Sequence, residues 1–313
     1  MPGSDVYEAI VVGGGAAGLS AALILGRARR KVLVLDDGRP RNAVAERMHG
    51  FITRDGTPPL DLLAAAKSEL RRYPSVACAE SHVESATGDI GAFAIRTHEG
   101  RTHRARRLLL ATGVYDALPA IDGLRETWGR SAFVCPYCDA WEVREQRIAA
   151  VAKGAKAVEL AQELRQWSHD IIVCTQGGNA LSDEHRRWLD ATNVMLVPQP
   201  IRRIHAHGGR IASIEFEGGR QEPCAAVFLS APLRPRYPLV DMLGCALRDD
   251  GEIAVDARGR TSVAGVYAAG DAVTTVHQVV LAAASGVCAA IGINEDCLKD
   301  DVRSAAASPD SRV

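Results

Sequence analysis

Residues 7–36 read YEAIVVGGGAAGLSAALILGRARRKVLVLD, and four local signals follow one another in them. An apolar run (7–12) meets the glycine cluster Gly13-Gly14-Gly15-Ala16-Ala17-Gly18. A stretch with apolar residues at helical period comes next, and a second apolar run (31–35) ends at Asp36. Strand, glycine turn, helix, strand and acid in this order make a dinucleotide-binding fingerprint. Each part has a physical task. Gly13 permits the sharp turn, Gly15 lets a pyrophosphate approach the backbone, and Gly18 lets the helix lie close to the strand. The helix N-terminus at Ala16 offers amide donors and positive potential to phosphates, and Asp36 accepts hydrogen bonds from a ribose hydroxyl. The expected fold class is therefore α/β, with a nucleotide cofactor at the first turn.

Further along, residues 37–42 (DGRPRN) read as a loop, and the turn-rich segment 47–59 (RMHGFITRDGTPP) is expected to lie over the cofactor. Residues 60–73 carry Leu60, Leu63, Ala64, Leu70 and Tyr73 on one helical side, residues 76–97 read as a strand hairpin region, and RLLLAT (107–112) as a buried strand ending at Gly113. The Pro- and Gly-bearing stretch 114–124 suggests a domain boundary. Beyond it the first pattern returns in altered form. An apolar strand (146–151) leads into Ala152-Lys153-Gly154-Ala155-Lys156-Ala157, then a helix, then a strand (170–174) followed by Thr175 and Gln176. The fold echo is good, but Ala152 replaces the first glycine and no acid closes the second strand. Strands and turns fill 194–230, and APLRPRYP (231–238) reads as a return linker. GVYAAGD (265–271) is a strand running into a Gly-Asp turn, with a small-residue helix beginning near His277-Gln278. The polar residues 299–313 are expected to be a disordered tail.

The chemistry-bearing stretch is FVCPYCDAWE (133–142), with Cys135 and Cys138 at CxxC spacing and Asp139 directly after. Such a pair is either a redox disulfide, with one thiol held as thiolate, or half of a zinc site. No second CxxC, CxH or HxxxH pair stands elsewhere in the chain, which favours redox chemistry. Asp139 is either a proton-transfer group or a residue favoured by a helix start. Trp141 either packs beside the pair or lines a substrate groove, and His205 and His207 read as surface. The other six cysteines, Cys78, Cys174, Cys224, Cys245, Cys288 and Cys297, are scattered through 313 residues, unlike a secreted disulfide framework, and read as buried or incidental. With 47% hydrophobic residues, the chain has the makings of about two domains. A net charge of −1 and no basic run argue against a nucleic-acid partner. No positive n-region precedes the first apolar run, and the stretches 11–26 and 278–294 are short for membrane spans. A cytoplasmic protein without a membrane partner is the expectation.

Three separated motifs, GGGAAG with Asp36, CPYCD and GVYAAGD, resemble those of the low-molecular-weight thioredoxin reductase family of two-domain flavoproteins, over about residues 6–298. The resemblance implies two Rossmann-like three-layer domains. One is a discontinuous FAD domain (1–114 and 239–298), and the other is an inserted pyridine-nucleotide-type domain (115–238) carrying the redox pair. It also implies a homodimer. It places Gly13, Gly15, Ala16, Gly18, Asp36, Arg41, His49, Ala111, Gly113, Asp271, His277 and Gln278 at the FAD. Asp271 is assigned to the ribitol chain and His277-Gln278 to the pyrimidine edge of the flavin, while His49 either faces the flavin or sits in a surface turn. Cys138 becomes the sulfur nearest the flavin, Cys135 the one exchanging with substrate, and Asp139 the acid-base residue.

The departures are specific. Reductases of this family that use NADPH have an intact second glycine turn and an arginine pair after the next strand, where this chain has AKGAKA and TQGG. Two lost charge-assisted contacts of about 1.5–3 kcal/mol each amount to a hundredfold or more in affinity, so NADPH is a doubtful cofactor. The chain is more similar to the dithiol oxidase branch, which closes disulfides in natural products of the gliotoxin and holomycin kind. That branch implies a small dithiol as substrate and oxygen as acceptor. The alternatives are a reductase of a thioredoxin-like protein, fed by NADPH or ferredoxin, and a flavin-bound redox sensor that does not turn over.

Overall fold

A computed structural model describes residues 6–307 apart from Asn179 and Tyr237. Residues 1–5, the Tyr237 position of the return linker and the end of the expected tail (308–313) lie outside the described residues. The chain divides into two compact units, one of residues 6–41, 60–115 and 234–307, the other of 42–59 and 116–233.

The first unit is organised on the strand Val6–Val12, paired in parallel with Val32–Asp36 on one side and Thr102–Leu110 on the other. Its residues alternate between two cores. Ile10 and Val12 join Leu33, Leu35, Phe93 and Leu108 on one face, while Ala9 and Val11 join Leu25, Val32, Val34 and Leu109 on the other. Burial on both faces is why the run is continuously apolar, as parallel sheets require. Val76–Glu80 extends the sheet in parallel beyond Val32–Asp36, and Val83–Thr87 and Phe93–Thr97 form an antiparallel hairpin. The expected hairpin region thus splits between two pairings. Val266–Ala268 returns from far along the chain to lie parallel to Thr102–Leu110.

The helix Ala16–Arg27 packs against the long C-terminal helix Val279–Ala307. Contact is close because both helices present small residues there. A Cβ on Gly286 would stand 2.0 Å from the Ala17 carbonyl oxygen. By length and composition the C-terminal helix is apolar enough to cross a membrane, yet Ala289, Ala290 and Ile293 on it are fully buried core residues of this unit.

The expected disordered tail from residue 299 is instead the last turns of this helix, and ion pairs explain why it stays helical to Ala307. The fully buried Arg107 pairs with Asp300, Arg30 holds Glu8 at 2.5 Å and Asp301 at 2.7 Å, and Arg106 reaches Asp301 at 3.0 Å. One turn earlier Asp296 accepts from Arg260 Nε at 2.7 Å, from the buried Tyr267 hydroxyl at 2.7 Å and from Lys299 at 3.0 Å. These donors, Arg260 first, hold the Asp296 carboxyl well below the usual carboxylate range. Asp296→Ala is expected to cost about 3 kcal/mol, since it deletes charge-assisted bonds and leaves a buried hydroxyl without its acceptor. The contribution is complete above the unfolded carboxylate pKa of about 3.9 and is lost as pH falls through the depressed folded value. Denaturant titrations of the two proteins should therefore differ fully at neutral pH and converge in strong acid. Equal midpoints at neutral pH would rule out this anchor.

The second unit is built on a five-stranded parallel sheet ordered Met195–Val197, Ile171–Cys174, Ile148–Val151, Ala226–Leu229, Ala132–Phe133. Ala155–Leu164 packs on one face. A three-stranded antiparallel sheet of Ile201–His207, Arg210–Phe216 and Gln221–Pro223 completes the unit. A helix at Asp183–Thr192, capped by Ser182 and His185, fills a stretch with no expected element. His205 lies on the antiparallel sheet and bonds Glu215 at 2.9 Å.

Candidate functional site

In the first unit the glycine turn is shaped by close backbone approaches. Gly13 has φ +106°, and a Cβ there would lie 2.2 Å from the Ala111 carbonyl oxygen. A Cβ on Gly18 would lie 1.9 Å from the Gly13 carbonyl oxygen. Gly15 is different, because its φ is −75° and no protein atom lies within 4 Å of where its Cβ would stand. That open face at the start of Ala16–Arg27 is the space a pyrophosphate needs, next to first-turn amides that have no acceptor within the helix.

Asp36 stands beside the turn. Its Oδ1 accepts from the Gly14 amide at 2.9 Å, and its Oδ2 pairs with Lys67 Nζ at 3.1 Å. Lone pairs remain on the carboxylate for a ribose hydroxyl. Lys67 is a residue the motifs did not single out, since it comes from a separate helix, Pro59–Leu70.

Asp271 lies in the 3-10 turn Gly270–Val273, and Arg41 Nη1 pairs with its carboxylate at 3.3 Å. Gly270, at φ +80°, donates its amide to Ser285 Oγ at 2.9 Å, and its Cβ position is 3.0 Å from Ala17. The Gly-Asp turn is thereby fixed against the first helix. Ala111 borders the glycine turn at Gly13, and Gly113 follows at φ +63°. His277 and Gln278 stand at the entrance to the C-terminal helix, where the Gln278 carbonyl accepts from the Ala282 amide. The structure thus gathers the glycine turn, Asp36, Arg41, Ala111 and Asp271 in one unit, and these residues fit FAD.

His49 is placed differently. It belongs to the stretch 47–59 that the sequence suggested as a cofactor cover, and that stretch packs, within residues 42–59, in the second unit. There a Cβ on Gly129 would meet Val44 at 2.7 Å, and Glu46 pairs with Arg210 at 3.2 Å. His49 Nδ1 lies 3.3 Å from Asp55 Oδ1, and its Nε2 lies 3.5 Å from Glu142 Oε1.

The edge strand Ala132–Phe133 delivers the chain to Cys135, and Pro136 opens the single helical turn Pro136–Asp139 with the φ that position needs. Cys135 and Cys138 form a disulfide with Cα atoms 5.3 Å apart. The Cys138 amide lies 3.1 Å from Cys135 Sγ, a donor placed to favour that sulfur as thiolate. Burial, followed by the charge of Glu142, pushes the Asp139 carboxyl up to about 7, against an opposing effect of His49. A carboxyl in that range can give and take protons near neutrality. Tyr137 and Trp141 are exposed. Tyr137 meets Trp167 edge-on at 5.4 Å, and the Arg144 guanidinium lies 4.3 Å from the Trp141 ring centre.

Of the remaining cysteines, Cys174, Cys224, Cys245 and Cys297 are buried and Cys288 is half-buried. Burial raises the Cys174 and Cys224 thiols, the second to about 12. Cys78 is the exception, exposed on the strand Val76–Glu80.

The second glycine turn matches the first in register, with Ala152 donating to the Cys174 carbonyl as Gly13 does to Leu35. Its conformation is different. Ala152 is not at positive φ, and the left-handed residue is Gly154, at φ +62°. The Gly154 amide donates to the Thr175 carbonyl at 3.0 Å, and Gly178 lies so close that its Cβ would be 2.5 Å from Gly154 N. Thr175, where the first motif has Asp36, is buried and its hydroxyl has no hydrogen-bond partner among the described residues, and Gln176 follows at φ +51°. An alanine cannot cheaply take the positive φ that Gly13 uses, so the turn refolds, although Gly154, like Gly15, has no protein atom within 4 Å of its Cβ position. Ala152 and Thr175 are thus where the second turn departs from the fingerprint that closes the first at Gly13 and Asp36.

The model of the pyridine nucleotide-disulphide oxidoreductase family matches residues 7–286. Among curated relatives, the thioredoxin reductase sirT of Leptosphaeria maculans is 33% identical over 95% of this chain and 96% of its own length. The thioredoxin reductase tcpT of Claviceps purpurea is 32% identical, covering 91% and 92%. The crystal structure of HlmI superposes with a TM-score of 0.91 at 36% identity, covering 98% of each chain.

Proposed function

Because the chain belongs to the pyridine nucleotide-disulphide oxidoreductase family, we propose that it oxidises a small dithiol to a disulfide, passing two electrons through Cys135 and Cys138 to FAD and on to oxygen. It is an FAD-dependent disulfide oxidoreductase. The observation that carries the direction of flow is the refolded second turn, with Ala152 in place of glycine and Gly154 already bonded to Thr175. A second turn that lacks the fingerprint's first glycine and closing acid supports the substrate thiols as the source of electrons.

In this reading one substrate thiolate attacks Cys135, and Cys138 leaves as thiolate. The second substrate thiol then resolves the mixed disulfide. Asp139, with its carboxyl raised toward neutrality, takes and returns the protons. The exposed rings of Tyr137 and Trp141 offer an apolar surface to the substrate beside the pair. The glycine turn, Asp36 and the Arg41–Asp271 pair hold the cofactor, which when bound supplies a two-electron acceptor. A homodimer in the cytosol belongs to the same reading. Its support there is the set of buried, unpaired thiols, which suits a reducing compartment.

The test is anaerobic. Dithiothreitol mixed with the yellow protein is expected to bleach the flavin band, whereas NADPH at equal concentration acts at least about a hundredfold more slowly, as the lost contacts imply. Admitting air should restore the colour. Bleaching by NADPH within seconds would overturn the direction of flow, and a flavin indifferent to dithiols would overturn the function.

A further inference from the structure

Two exposed aromatic residues stand in and beside the redox loop. The Cys135–Cys138 bond closes a ring of backbone that contains Pro136 and Tyr137, and Tyr137 is 71% exposed. Trp141, 62% exposed, follows Cys138 by three residues, so the two Cα atoms lie within about 11 Å even on a fully extended chain. Neither ring is left to swing. Tyr137 meets Trp167 edge-on at 5.4 Å, and Trp167 packs against the core cluster that contains Phe133, Ala140 and Leu164. The Trp167 carbonyl accepts from the Glu145 amide at 2.8 Å, and Glu145 sits at φ +60°, a left-handed conformation uncommon outside glycine that this fixed turn maintains. The same turn sets Arg144, whose Nη1 donates to the Trp141 carbonyl at 2.9 Å and whose guanidinium lies 4.3 Å from the Trp141 ring centre. One connected set of contacts thus fixes both rings. Arg144 covers one face of Trp141, and the residue is still mostly exposed.

The geometry points to Trp141 as a specificity-determining residue: its open face stacks a small dithiol whose thiol-bearing carbons are carried on a flat, unsaturated ring, and Tyr137 borders the same substrate. The proposal rests on the dithiol oxidation described above. In that exchange two substrate S–H bonds and the Cys135–Cys138 bond break, and the substrate S–S bond forms. Two protons and two electrons end on Cys135 and Cys138. A guanidinium on one face of an indole draws its electron density, which favours an electron-rich partner on the other face. A ring already held in place also loses little rotamer freedom when the substrate arrives. Side chains of this kind bury about 150–250 Å² each. Together they fall well short of the roughly 800 Å² per partner of a stable protein contact, so the pair suits a small molecule rather than a protein.

The test compares ortho-xylylene dithiol with butanedithiol, which hold their thiols at the same carbon spacing and differ in the aromatic ring. In Trp141→Leu, kcat/KM for the xylylene compound is expected to fall at least about tenfold more than kcat/KM for butanedithiol, chiefly through KM, as the loss of a stacking platform implies. Intrinsic thiol reactivity cancels, because each variant is measured with both. Trp141→Phe, which keeps a ring, should restore most of the discrimination, and Arg144→Met, which removes only the cation, should lose about threefold of it. A second readout needs no turnover. In the full-length oxidised protein with nitrogen-labelled tryptophan, the Trp141 indole signal is identified among four by its loss in Trp141→Leu. The cyclic disulfide of xylylene dithiol should shift it at a concentration at least about tenfold below that needed with the cyclic disulfide of butanedithiol. Equal losses for the two dithiols in Trp141→Leu, or an indole signal that both disulfides leave unmoved, would overturn the proposal. So would a Trp141→Leu defect confined to a thioredoxin-like protein substrate. A wild-type flavin that fails to respond to dithiols would sink the function while leaving the indole titration intact.

Discussion

Cys138→Ser is expected to reduce dithiol-driven flavin bleaching by about three orders of magnitude or more, the scale on which removing one member of a reacting group acts, while the protein stays yellow. Colour is retained because the FAD-binding residues belong to the other unit. Activity is lost because serine cannot form with Cys135 the disulfide that a substrate thiolate must attack, so no electrons enter the pair. The Cys138 amide still faces Cys135 Sγ at 3.1 Å, and Cys135 should remain nucleophilic. Intact-mass measurement should therefore find the variant, after oxidation in the presence of a monothiol, carrying one adduct on Cys135. Stopped-flow bleaching within tenfold of the wild type would show that the pair is not the conduit.

The second large effect lies in the glycine turn, where two substitutions of one methyl each should fail for different reasons. In Gly18→Ala the new methyl would be 1.9 Å from the Gly13 carbonyl oxygen, so the helix Ala16–Arg27 must move off the strand. Overpacking of this kind costs about 1–3 kcal/mol, and that variant is expected to be less stable as well as colourless. Gly15→Ala meets no protein atom within 4 Å and keeps an ordinary φ of −75°. It should melt like the wild-type protein freed of its flavin, yet bind FAD at least about a hundredfold more weakly, close to 3 kcal/mol. Thermal melting of the flavin-free proteins and the ratio of visible to ultraviolet absorbance after purification separate the two. Full flavin content in Gly15→Ala would show that the pyrophosphate does not pass over Gly15.

The first fingerprint was legible because each of its parts is local. A positive φ at Gly13, a close helix at Gly18 and an acid at Asp36 all fall within one strand-helix-strand unit, and the structure uses them as the chemistry requires. The Cys135–Cys138 pair and the altered second turn were legible for the same reason. What the sequence could not show depends on partners far along the chain. Nothing in RMHGFITRDGTPP indicates that His49 will meet Glu142, because turn residues have no periodicity that points to a packing face. The polar residues after 298 resemble a tail until Arg30, Arg106 and Arg107 are seen to meet them from three other places in the fold. Lys67 escaped notice because a helix surface lysine has no motif, although Asp36 ends up beside it.

The strand Val266–Ala268 and the helix Val279–Ala307 belong to a sheet and a core whose other members are made before residue 116. During synthesis the nascent chain must therefore wait. Every strand of the disulfide-bearing unit leaves the ribosome by residue 229, so that unit can mature first, while the cofactor cradle is completed only when the final helix emerges to cover Ala17. Flavin therefore loads only late in synthesis, and a cell short of the vitamin would accumulate chains whose sulfur pair lacks the acceptor that keeps it oxidised.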